Sequence, residues 1–201
     1  MSAVPASVAY PRGGTRGGSH ATGWWGMGLL ILTEGALFAC LLFSYFYART
    51  TAPAWPPVGI DKPDLTLPAP MTGLLLLSSV AMWWGERGIR QGSRGQLMAG
   101  LAISFALGGT FLALQGIEYS HKTFSLQTNV YGSLFFTITG FHGAHVLAGL
   151  IMSAVVQLRA WLGHFSAQRH LAVQNMGIYW HFVDVIWLAV FASLYLSPHL
   201  F

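Results

Sequence analysis

The stretch Tyr179-Trp-His-Phe-Val-Asp-Val-Ile-Trp187 sets two ionisable side chains, His181 and Asp184, one helical turn apart inside an otherwise apolar run. Apolar residues on every side of the helix suit it to hydrocarbon rather than to the surface of a soluble protein. At membrane depth an ionisable group is costly unless it faces protein, water or another polar group. The segment therefore reads as a membrane span carrying a functional site, an interface or a structural lock.

Composition extends that reading to the whole chain. The 201 residues are 54 % hydrophobic and 8 % charged, against about 25 % charged in soluble domains. The formal net charge of +4 reflects a shortage of acids, and the Lys and Arg residues sit between apolar segments rather than along a groove. This pattern argues against nucleic-acid binding. Cys40 is the only cysteine, so no intrachain disulfide or Cys-x-x-Cys-His haem attachment can form. It is expected to be a small buried apolar residue.

Five apolar segments of roughly 20 residues can each cross a ~30 Å hydrocarbon core. They lie near Trp24–Tyr47, Ala69–Trp84, Gln96–Ile117, Val130–Leu158 and Val173–Leu196. The expectation is an all-α, polytopic membrane protein with five transmembrane helices in one domain, residues 23–201. Residues 1–22 are expected to be a disordered cytoplasmic tail. The first apolar stretch is too long for a signal-peptide core. Trp24, Trp25, Tyr45, Tyr47, Trp83, Trp84, Trp161 and Tyr195 sit at segment ends, as interfacial aromatic belts do.

Arg12, Arg16, Arg87, Arg90, Arg94, Arg159 and Arg169 fall on one side, and Arg49, Lys62 and Lys122 on the other. The positive-inside rule then places the N-terminus in the cytoplasm and the C-terminus outside. The first external loop, with Trp55-Pro-Pro57, Pro63, Pro68 and Pro70, is expected to be extended and stiff.

Glu34 lies about 15 Å into the first span. His142 and His145 lie near the middle of the fourth, and His181 and Asp184 lie about 12 and 16 Å into the fifth. These groups, from three helices, are expected at similar depth, with Glu34 pairing with His142 or His145. The i, i+3 spacing of His142 and His145 can serve a metal or haem, and an intramembrane carboxylate can relay protons. The Glu-x-x-His repeats of di-iron bundles are absent. Interhelical hydrogen bonds that fix packing and register are the favoured reading, and no metal is expected. Gly140, Ala144 and Ala148 form a small-residue stripe suited to subunit packing. Glu118, followed by His121 and Lys122, reads as a solvated or interfacial group. Arg159 and Arg169, with His164 and His170, are candidates to hold a lipid phosphate.

The chain resembles subunit III of a haem–copper respiratory oxidase, most closely the cytochrome c oxidase type. The resemblance rests on Thr33-Glu-Gly-Ala-Leu-Phe38 with Ser44-Tyr45, Trp55-Pro-Pro-Val-Gly-Ile60 and Leu114-Gln-Gly-Ile-Glu-Tyr119. It rests also on Val130-Tyr-Gly-Ser-Leu-Phe-Phe136, Gly140-Phe-His-Gly-Ala-His-Val146 and Tyr179–Trp187, all in family order. Seven-helix members carry two further N-terminal spans, so the five-helix bacterial form and a bacterial plasma membrane are implied.

The resemblance implies an accessory subunit that binds no redox metal, with haems and copper held by subunits I and II and cytochrome c as donor to the complex. It implies packing mainly on subunit I, bound phospholipid in a cleft, and support of sustained turnover and proton uptake. Glu34, Glu118, His142, His145, His181 and Asp184 match the family's polar positions, none of them catalytic, and Trp180 joins the lipid-binding candidates. The alternatives are the equivalent subunit of a quinol oxidase or a nitric-oxide-reductase-associated homologue. From another class, a small proton channel or transporter centred on Glu34 remains.

Overall fold

A computed structural model describes residues 22–200, and the chain is all-helical among them. Helix α1 spans Thr22–Thr51, α2 Pro68–Arg90, α3 Arg94–His121, α4 Val130–Trp161 and α5 Leu171–Val190. A π-helical stretch, Phe191–Leu196, then leads into the short α6, Ser197–Leu200. The expected tail, residues 1–22, lies outside the described residues except for Thr22, which opens α1. Four helical segments are long and apolar enough to cross a membrane: Thr22–Thr51, Arg94–His121, Val130–Trp161 and Leu171–Leu200. Helix α2 is not among them; Glu86, Arg87 and Arg90 occupy its last turns.

Local sequence sets the helix ends. Pro68 opens α2, where its missing N–H costs nothing and its fixed φ suits the first helical turn. Pro68 and Pro70 therefore belong to α2 rather than to the loop before it. Gly92, at φ 83°, turns the chain between α2 and α3, and the Ser93 side chain accepts a hydrogen bond from the Gln96 N–H at 3.4 Å. Asn129 caps α4 by accepting from the Gly132 N–H at 2.9 Å. Gly163, at φ 77°, ends it, in a conformation that a side chain would strain.

Helices α2, α3, α4 and α5 close into a four-membered ring, each touching its two neighbours, and α1 lies outside against α4 and α5. The ring is antiparallel, as Gly85 opposite Gly100, Tyr119 bonded to Thr139, Tyr179 bonded to His145 and Thr72 bonded to Trp187 show. Helix α1 runs parallel to α5, tied at one end by Asn175 Nδ2 donating to the Gly23 carbonyl at 3.0 Å. At the other end Arg49 Nη1 donates to Ser197 Oγ at 2.6 Å.

Small residues let the backbones close up. A Cβ on Gly100 would stand 2.6 Å from Gly85 Cα, and one on Gly108 or Gly149 would run into the Trp180 indole. Trp180 is thus clamped between α3 and α4, 1 % exposed, and its Nε1 donates to Ser78 Oγ at 2.9 Å. Its expected lipid-binding role does not hold: the indole is core. Tyr45 and Tyr195 are likewise fully buried rather than interfacial, because the Trp55 loop covers the first and Glu118 accepts from the second. Cys40, expected to be buried, is exposed because that face of α1 meets no other helix of this chain.

Candidate functional site

The intramembrane polar residues are divided among separate sites rather than gathered in one. Asp184 and His181 both reach Ser79 on α2. The Ser79 hydroxyl donates to Asp184 Oδ2 and stands 2.8 Å from His181 Nδ1. A hydroxyl has one proton to give, so when Asp184 receives it, His181 Nδ1 carries its own hydrogen and donates to the serine oxygen. The pair that decides the fold is therefore an α2–α5 clasp. Ser79 is absent from the sequence-based candidates, although the Ser78-Ser79 pair in the middle of an apolar helix was the available signal.

Glu34 and His145 form the second site. His145 Nε2 stands 3.0 Å from Glu34 Oε2, and its Nδ1 stands 2.7 Å from the Phe141 carbonyl. A carbonyl only accepts, so Nδ1 must carry a hydrogen. The Nε2···Oε2 contact then holds one further proton, as imidazolium with carboxylate or as imidazole with carboxylic acid. Tyr179 Oη donates to the His145 carbonyl at 3.1 Å, joining α5 to the same corner. His142 does not join it. It is buried among Phe38, Phe111 and Trp187, with neither ring nitrogen hydrogen-bonded.

The Glu34–His145 pair opens on a cleft of about 470 Å³ bounded by α1, α4 and α5. Ala144 and Ala148 line it and are exposed, whereas Gly140 is half-buried. Ala144 and Ala148 thus face the cleft, whereas Gly140 lies toward Tyr119 of α3.

Glu118 is buried rather than solvated. Its carboxylate pairs with Lys122 Nζ at 2.8 Å and accepts from Tyr195 Oη at 3.0 Å and Gln115 Nε2 at 3.3 Å. Lys122 in turn lies over the Phe135 and Tyr195 rings. This network joins α3 to the π-helical stretch after α5.

The basic residues around the α4–α5 turn are spread out. Arg159 lies over the Phe165 ring at 5.2 Å, His170 Nδ1 donates to the Ser166 carbonyl at 3.2 Å, and His164 and Arg169 are exposed. Among the described residues no three His, Cys, Asp or Glu side chains stand together as a metal-ligand set.

Apolar helices joined by buried clasps, with an open cleft along one side, define a polytopic helical membrane protein. The sequence profile of the family described as cytochrome c oxidase subunit III matches residues 14–198. A cytochrome c oxidase subunit 3 from the echidna Tachyglossus aculeatus aculeatus is 39 % identical over 178 residues, covering 85 % of this chain and 68 % of the relative. The Synechocystis subunit 3 is 39 % identical over 172 residues, covering 85 % of this chain and 74 % of its own length. The chain belongs to the cytochrome c oxidase subunit III family, and so to the membrane subunits of haem–copper respiratory oxidases.

Proposed function

We propose that the chain is subunit III of an aa3-type cytochrome c oxidase in a bacterial plasma membrane. It crosses that membrane five times, with its N-terminus cytoplasmic and its C-terminus outside. The end of the bundle bearing Arg87, Arg90, Arg94, Arg159 and Arg169 is the cytoplasmic one, by the positive-inside rule. The complex takes electrons from cytochrome c, reduces dioxygen to water and moves protons. The haems and copper of that chemistry belong to subunits I and II, and this chain packs mainly on subunit I.

The observation that carries the reading is the open cleft. Its walls are largely apolar, with Leu30, Leu37, Phe141 and Met152 facing a single polar spot, Glu34–His145. That lining suits phospholipid acyl chains. Arg159 lies seven residues beyond Met152, two turns along the same side of α4, and with His164, Arg169 and His170 it supplies the cationic end for a headgroup. A lipid held there braces α1 against the ring and keeps the complex intact through repeated turnovers. The Glu34–His145 pair holds the cleft's shape and a proton, and so supports proton uptake by the complex.

Affinity purification in mild detergent, with a visible spectrum and mass identification of the partners, tests the reading. A haem-containing complex with subunits I and II is expected. A colourless, monodisperse chain under conditions that preserve membrane complexes would overturn it.

A further inference from the structure

We propose a second lipid site on another face of the bundle: an anionic phospholipid lies in the groove between α3 and α4, its phosphate on Arg94. The groove measures about 280 Å³ and is lined by Met98 and Ala102 of α3 and by Gln157, Leu158 and Trp161 of α4. Leu158 and Trp161 are well exposed, so the described residues give them no close cover. Gln157 Nε2 is committed inward, to Ser153 Oγ at 3.2 Å and to the Leu101 carbonyl at 3.5 Å. The surface left to a ligand is chiefly hydrocarbon.

The charge sits at one end of the groove. Arg94 precedes Met98 by one turn, on the same face of α3. Its guanidinium leans on the turn that follows Trp161, with Nη1 3.0 Å from the place a Cβ on Gly163 would occupy. Among the described residues Arg94 has no acidic partner. Arg159 is turned onto Phe165 and belongs to the other side.

A free guanidinium fork beside an interfacial tryptophan, at the end of an apolar trough, matches a phospholipid in order. Phosphate takes the fork in a charge-assisted pair. The glycerol region lies at the level of Trp161, and one acyl chain runs down to Ala102, eight residues or about 12 Å deeper. The small side chain of Ala102 leaves room for that chain. A zwitterionic lipid brings a second cation to the same mouth, so the site selects net negative charge.

The test uses the intact complex that contains this chain, purified as wild type, Arg94→Gln and Ala102→Phe. Each is delipidated in steps and titrated with phosphatidylglycerol or phosphatidylcholine, and bound lipid is counted by native mass spectrometry. The wild type is expected to keep phosphatidylglycerol in preference to phosphatidylcholine. Arg94→Gln should weaken phosphatidylglycerol by at least about tenfold, the loss of a charged hydrogen bond, and remove the preference. Ala102→Phe should weaken both lipids.

Equal retention of the two lipids by the wild type overturns the proposal, as does unchanged phosphatidylglycerol binding in either variant. Both substitutions sit at exposed positions, so either one decides if the other fails to assemble. Protein masses in the same spectra report whether subunits I and II are present, which separates failure of this site from failure of the oxidase reading.

Discussion

Helices α2 and α3 meet backbone to backbone at one crossing, whereas α1 touches the rest of the molecule through a few anchors. Gly85 and Gly100 bring two backbones into contact. By contrast, α1 buries only Met27, Phe38 and Tyr45 over thirty residues. Helix α3 is as apolar as α1, but the two regions do different work. The α2–α3 hairpin is closed chiefly by van der Waals contact, with one hydrogen bond from Gln96 Nε2 to the Trp84 carbonyl at 2.8 Å, and α1 is held by polar clasps and leaves a cleft. In lipid there is no hydrophobic gain from bringing helices together, so close packing and hydrogen bonds are the available forces. The tight hairpin uses the first and α1 the second.

Breaking the tight region should have the largest effect. Gly100→Leu drives a side chain against the Gly85 backbone and the Ala81 carbonyl, neither of which can rotate away. The expected cost is about 3 kcal/mol, the upper end for overpacking because backbone cannot yield, seen as loss of folded chain from the membrane fraction. Accumulation at the wild-type level with unchanged thermal stability would mean that the hairpin is looser than its geometry indicates.

Next in size is Glu118→Ala. It leaves Lys122 partly buried without its carboxylate and removes the acceptor of Tyr195. Stranding one member of a buried pair costs about 3 kcal/mol, so a lower melting temperature of the purified complex is expected. Glu118→Ala combined with Lys122→Met should recover part of the loss, because the stranded charge is gone. A double variant no better than the single would place the cost in Tyr195 instead.

The membrane spans were largely legible in the sequence because hydropathy over twenty residues is a local property. The partners across helices were not. Trp180, Tyr45 and Tyr195 have the composition of an interfacial belt, and nothing local distinguishes a tryptophan facing headgroups from one clamped between Gly108 and Gly149. Glu118 next to His121 and Lys122 looks solvated until Tyr195, 77 residues later, closes over it. Glu34 does pair with His145, one of its two expected partners, because a carboxyl in the middle of an apolar helix leaves few partners. His142 and His145 stand only about 60° apart around α4. That still turns one ring into the core against Phe111 and Trp187 and leaves the other at the cleft beside Glu34, and spacing alone does not say which is which.

Smaller effects sharpen the comparison at the polar clasps, first between α2 and α5 and then on α1. Ser79→Ala takes the shared partner from His181 and Asp184. It should destabilise by about 1–2 kcal/mol, read as a lower melting temperature, and an unchanged value would show that water replaces the hydroxyl. Glu34→Gln keeps a hydrogen-bonding side chain opposite His145 but removes the carboxylate. That side chain is 30 % exposed to the cleft, so the effect on stability should fall below about 1 kcal/mol. The initial oxidase rate should stay near normal, and an immediate and complete loss of rate would give Glu34 a direct part in turnover.

The smallest effect on the fold, and the most telling about the cleft, belongs to Ala144→Leu. Ala144 is exposed within this chain, so the added atoms meet no backbone and the melting temperature of the isolated chain should not move. They do enter the cleft beside His145 and narrow the space between α1 and α4. If a lipid or a neighbouring subunit fills that space, the variant should release the lipid or lose co-purifying subunits at a milder detergent wash than wild type. Unchanged lipid content together with unchanged co-purification would make the stripe a plain bilayer-facing surface. A fall in the isolated chain's own stability would show that α1 closes on α4 more tightly than its few anchors require. The polar clasps would then be only part of what holds it.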